Sequence, residues 1–286
     1  MDWETFLKLA GGAALISVAG NLIALYLKDF IGVRSFERWK ATQSLIASFD
    51  KYRKPIALAA QELSGRCYAI AVNRSDGPRE HVGLDMLQSK PQLNELTGAA
   101  KDHFLRYRFV SDVYRLCCFL GWIELYRREL GLLDAGVEDK NRALDICLQS
   151  IRSDLADGHI NRNSDRHKWT DALIFREEQR AIGHRMIAGP TTGLVDFGSF
   201  CEQLELDLEG NGSARWFVLA GRFFTNLQDD KDFRLIRMQR LVVHLTDLRE
   251  LLHPSSILPA HLEGAKRLAD QLTDKGYIGR AIHSKD

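Results

Sequence analysis

The chain has 286 residues, with 39 lysines and arginines against 38 aspartates and glutamates, so its net charge of +1 creates no global field that would draw in nucleic acid. That length is enough for one large or two small domains with a proper core. The five cysteines, Cys67, Cys117, Cys118, Cys147 and Cys201, are odd in number and lack CxxC spacing, which fits free buried thiols in a reducing compartment better than a disulfide framework or a zinc knuckle.

The first element in chain order is the run Leu9 to Leu27, LAGGAALISVAGNLIALYL, which holds no charged residue and is bracketed by Lys8 and Lys28. Its 19 residues would span about 29 Å as a helix, close to the hydrocarbon thickness of a bilayer. A signal peptide cleaved after Ser17-Val18-Ala19 is the rival reading, but the apolar run continues to Leu27 and the leader carries Asp2 and Glu4 in place of a basic cluster. Basic residues gather on the far side (Lys28, Arg34, Arg38, Lys40, Lys51, Arg53, Lys54), against Lys8 alone on the near side. The asymmetry predicts a single-pass inner-membrane anchor with the N-terminus outside and a cytoplasmic C-terminal domain. Residues 1–40 are thus read as anchor and juxtamembrane segment, and 41–286 as a cytoplasmic helical domain. Ala13, Ser17, Gly20, Asn21 and Ala24 recur at three- and four-residue spacing, a small-residue face that predicts self-association or pairing with another membrane protein.

Beyond the anchor, helical periodicity starts at Phe36, with Pro55 expected to interrupt it and begin a second helix that runs to Val72. A polar loop is expected from Asn73 to Pro91. The stretch His103 to Leu133 has an uninterrupted apolar centre, Leu116 to Ile123, too short to cross a bilayer and suited to the central helix of the core. Glu124, Arg127 and Arg128 lie at ion-pairing separations on it. Residues 134 to 155 predict a helix with Leu144, Cys147, Leu148 and Ile151 inward. Further helices are expected at Trp169 to Ile187, Val195 to Leu208, Ala214 to Leu227 with Ser213 as N-cap, Asp232 to Leu252, and Pro259 to Gly276. No alternating strand pattern appears, and the predicted fold class is all-α: a transmembrane helix followed by a multi-helix bundle.

Two groups of residues carry candidate chemistry. On the helix TDALIFREEQRAIGHRMI, the stripe Ala172, Phe175, Ile182 and Met186 also contains Gln179, whose burial would demand hydrogen-bond partners from a neighbouring backbone or a ligand. Glu177, Arg180 and His184 fall on the adjacent face, so these four polar residues form a candidate ligand-binding set. A solvated ion-pair face would explain Glu177, Arg180 and His184 equally well. No HExxH pattern, phosphate loop or G-x-G-x-x-G occurs, so neither a metal nor a cofactor is implied.

The second group is Arg162 to His167, RNSDRH, which resembles the Arg-polar-x-x-x-His signature of HEPN-type ribonucleases, all-helical proteins that cut RNA. The resemblance implies His167 as acid-base group, Arg162 as phosphate-steadying cation and Asn163 as the polar residue between them. Nucleic acid is a partner only on that reading. The blocks YRKPIALAAQELSGRCYAI, FLGWIELYRREL, FREEQRAIGHRMI and LIRMQRLVVHLTDLRELLHP, behind an N-terminal anchor, also resemble a family of bacterial membrane-anchored helical proteins. That resemblance implies a bacterial inner membrane and no particular activity. The function expected from these features is a membrane-anchored scaffold or oligomeric effector, with a tethered ribonuclease as the alternative.

Overall fold

A computed structural model describes Tyr26 and residues 33–72, 96–130, 139–157, 172–189, 193–210, 215–225, 227 and 232–278. Among them lie eight α-helices: α1 Val33–Ala71, α2 Leu96–Leu130, α3 Asp139–Ala156, α4 Arg176–Arg185, α5 Phe197–Glu209, α6 Trp216–Arg222, α7 Phe233–Leu252 and α8 Pro259–Asp274. The remaining regular structure among the described residues is a 3-10 turn at Pro254–Ser256 and one isolated antiparallel bridge between Ile187 and Leu194. The chain is therefore all-α. No helix among the described residues is long and apolar enough to cross a membrane, and apart from Tyr26 the Leu9 to Leu27 run, with Ala13, Ser17, Gly20, Asn21 and Ala24, lies outside those residues.

Two helices act as hubs. Helix α2 packs against α1, α4, α5 and α6, while α7 packs against α1, α3 and α8, so α1 joins the two halves. The apolar centre foreseen on α2 is indeed core: Leu116, Cys117, Phe119 and Leu120 are all buried in the main hydrophobic cluster.

The expected break at Pro55 does not occur, and α1 runs unbroken for 39 residues with Pro55 inside it. Proline within a helix costs about 3 kcal/mol through its missing N–H and its clash with the preceding turn. Tyr52, Ile56, Ala60 and Leu63 around it are buried between α2 and α7, and burial contributes about 1.5–3 kcal/mol for each large apolar side chain. Packing therefore outweighs the local penalty.

Helix α4 is shorter than expected, starting at Arg176 where the sequence suggested Trp169. Ala172 sits in the left-handed region at φ 51°, and the Phe175 N–H donates to the Glu178 carboxylate at 2.7 Å, a cap that ends the helix at that point. The buried stripe is corrected accordingly. Gln179, Ile182 and Met186 are inside, whereas Phe175 is exposed and Ala172 only half-buried. Gly189, at φ 58°, turns the chain after α4.

Caps fix the next elements. Asp196 accepts from the backbone N–H groups of Gly198 (2.9 Å) and Ser199 (3.1 Å), and Gly210 ends α5 in the left-handed conformation at φ 77°. Ser213 is not the N-cap of α6, because that helix starts later and has Arg215 at its N-cap without a side-chain bond. The Phe217 N–H instead donates to the carboxylate of Asp207 on α5 at 3.1 Å. A tertiary carboxylate replaces the local serine.

Helix α4 lies hard against α2 at Gly183, where an added Cβ would meet the Leu120 carbonyl oxygen at 2.6 Å. Gly264 on α8 faces open space. Their alanine variants should move stability in opposite directions. Gly183→Ala should cost about 1–3 kcal/mol by forcing two helices apart, and Gly264→Ala should add about 0.5–1 kcal/mol through helix propensity, both read from urea midpoints.

Candidate functional site

The close α2–α4 contact, together with the last turns of α3, forms a half-open cleft of about 20 Å³, lined by Leu120, Ile123, Glu124, Arg127, Arg152, Gln179 and Arg180. That volume accommodates one water molecule, or one polar group of a ligand reaching in from the mouth. Helix α2 supplies the apolar floor and a carboxylate, α3 supplies Arg152, and α4 supplies the amide and another guanidinium.

Gln179 is 3% exposed, and its Nε2 donates to two backbone carbonyls, those of Arg152 (3.0 Å) and Ile174 (2.8 Å). Both amide protons are therefore spent, and the amide cannot flip without setting its oxygen against two other oxygens. Oε1 is buried and accepts no hydrogen bond. A buried acceptor left without a donor costs about 1–3 kcal/mol.

The cleft is cationic. Its three arginines face one carboxylate, Glu124, which is already occupied: Arg127 donates to both of its oxygens at 3.0 Å, and Arg128 Nε lies 3.6 Å away. These are the ion pairs that the sequence spacing predicted. Burial first, and then the charges of Arg176 and Arg127, push the Arg152 guanidinium below its ordinary value, with Glu124 and Glu177 acting the other way. An anion beside Arg152 would relieve that repulsion.

Of the four residues in the candidate ligand set, Gln179 and Arg180 line the cleft. Glu177 and His184 are exposed on α4 and lie outside the lining. Arg127, Arg152 and Glu124 were not singled out as binding residues. Arg152 could have been found, since it follows Ile151 on the inward stripe Leu144, Leu148, Ile151, where an arginine is out of place. Arg162, Asn163 and His167 lie outside the described residues. Among the described residues, the Ile174 N–H donates to the Leu155 carbonyl at 3.0 Å.

A second polar cluster sits between α3 and α7. Asp154 is fully buried and binds Arg240 Nε through Oδ1 and His244 Nδ1 through Oδ2, each at 2.6 Å, while Arg240 Nη1 also donates to the Tyr277 carbonyl. Holding α3, α7 and the end of α8 together accounts for these contacts. Among the described residues, no group of three or more His, Cys, Asp or Glu side chains is placed to hold a metal ion.

All five cysteines are free. Burial, which the Tyr114 hydroxyl only partly offsets, pushes the Cys118 thiol up to about 12, and burial raises Cys117 well above its ordinary value. Neither is a thiolate nucleophile near neutral pH. Family models, curated proteins and solved structures were all compared with this chain, and none matches it.

Burial likewise raises the Tyr126 phenol to about 12. Groups whose folded pKa lies above the unfolded value contribute stability that is complete below the unfolded pKa and is lost as pH rises toward the folded one. The ordinary values are 9.0 for Cys118 and 10.0 for Tyr126. Urea midpoints should therefore fall progressively as pH rises from about 9 toward 12, and Cys118→Ala should flatten the early part of that decline.

Proposed function

We propose that this chain is a membrane-anchored helical scaffold or oligomeric effector of the bacterial inner membrane, whose work is assembly and partner binding. Leu9 to Leu27 is its single membrane span, with the N-terminus outside and the helical domain on the cytoplasmic side. The observation that carries this reading is the shape of α1. From Tyr52 onward its inner face is buried, but Phe36, Trp39, Gln43 and Ile46 ahead of that point are exposed.

About 28 Å of helix separates Val33 from the first buried turn, at 1.5 Å per residue. Those four residues follow one another at spacings of three, four and three, the seam of a helix that pairs with another helix. The Phe36 and Trp39 rings stack with centroids 5.8 Å apart, presenting one aromatic face.

In cross-linking of the full-length chain in bilayers, Asn21→Leu should weaken assembly about three- to thirtyfold, the value of a hydrogen bond between membrane helices. Trp39→Glu should weaken it further by placing a charge in the seam. Unchanged cross-linking in both variants would remove the scaffold reading.

The ribonuclease reading stands as a second proposal on the RNSDRH resemblance alone, its residues Arg162, Asn163 and His167 lying outside the described residues. On that reading the chain cleaves RNA and His167→Ala abolishes cleavage. RNA cleavage that survives in the His167→Ala protein would exclude it.

A further inference from the structure

We propose that the Gln179 cleft binds a small hydroxyl-bearing oxyanion, a hydroxycarboxylate or a hydrogenphosphate group, with the hydroxyl on Gln179 Oε1 and the anionic oxygens on Arg152 and Arg180. The inference does not depend on the anchor or on the scaffold reading.

Three observations define the ligand. Gln179, which lines the cleft, has its Oε1 buried without a hydrogen-bond donor while both Nε2 protons are held by the Arg152 and Ile174 carbonyls, so a hydroxyl that displaces the packing around it would fill a vacant acceptor. The lining favours negative charge, because its one carboxylate, Glu124, is bound bidentately by Arg127, which leaves Arg152 and Arg180 beside it. The size is set by a volume of about 20 Å³, enough for one hydroxyl.

A cation is excluded by the guanidinium groups, and an apolar ligand by the orphaned carbonyl. A plain anion such as sulfate or acetate satisfies the arginines and leaves Oε1 without a donor. A single water satisfies Oε1 and leaves the arginines without an anion. A group carrying both functions within one or two bonds of each other meets both demands with a single molecule. A guanidinium matches either anion, since carboxylate and phosphate both accept two parallel N–H bonds.

Matched pairs of probes test this directly, by titration calorimetry on the full-length chain in detergent at pH 7. Glycolate is compared with acetate, and inorganic phosphate with sulfate. Each pair shares its anionic character and differs in the hydroxyl. The hydroxyl-bearing member should bind about five- to a hundredfold more tightly, the range that one otherwise unsatisfied buried acceptor supplies. Preference within only one pair identifies the anion as carboxylate or as phosphate.

Arg180→Gln, an exposed change that leaves the core intact, should weaken both members of the preferred pair by a similar factor and keep the preference. Gln179→Met should abolish the preference. Equal binding within both pairs, or no binding by any probe at tens of millimolar, overturns the proposal and assigns the cleft to a structural water. The paired comparison on the unaltered chain is decisive even if Gln179→Met does not fold.

Discussion

Three carboxylates, Asp112, Asp154 and Asp207, are almost completely buried, and each is met by an arginine from another helix. Asp112 on α2 takes Arg66 of α1, Asp154 on α3 takes Arg240 of α7, and Asp207 on α5 takes Arg185 of α4 at 2.7 Å. An ion carried out of water is expensive unless its partner is close and its remaining lone pairs are filled. A helix that slid by one turn would keep most of its apolar contacts and strand a carboxylate. These pairs thus specify which helix meets which, and at what register, more than they add to overall stability.

The same logic shapes the regions around them. The free oxygen of Asp207 receives the Phe217 N–H, so the start of α6 depends on a side chain from α5. Arg185, held by Asp207, lies over the Phe217 ring with its guanidinium carbon 4.8 Å from the centroid. Helix α4 is thereby held at both ends, by the Glu178 cap at its start and by Arg185 at its close. Its middle, at Gly183, rests on α2, and the Gln179 cleft opens along that supported stretch. A short helix of 10 residues could not hold a buried amide in one orientation by its own backbone alone.

The fold class and most helices were legible in the sequence, because apolar periodicity survives wherever a helix lies against a core. Pro55 and the start of α4 were not legible, for opposite reasons. At Pro55 a strong local breaker lost to burial of Tyr52 and Ile56 by helices far away in sequence. At Ala172 and Phe175 a periodic pattern suggested a helix that the Glu178 cap cuts short. Of the site, the sequence pointed to Gln179 because an amide in an apolar stripe is conspicuous, and to Arg180 beside it. It could not show Arg152 and Arg127 converging, since three helices meet there and no spacing within one helix reveals that. Glu177 and His184 were grouped with Gln179 by their place on one helix, yet they face outward.

The pairing of α1 with α7 bears on the order in which the chain is made. Gln239 donates through Nε2 to the Ala71 carbonyl across 168 residues, and Arg249 to Gln61 across 188. At about 5–20 residues per second of synthesis, the face of α1 that will be buried waits roughly ten to forty seconds for its partner to be made. During that interval Ile56, Ala60 and Leu63 have only α2 to cover them. An early α1–α2 pair fastened by Arg66 and Asp112 would shield part of that surface, which gives the buried ion pair a use during folding as well as after it.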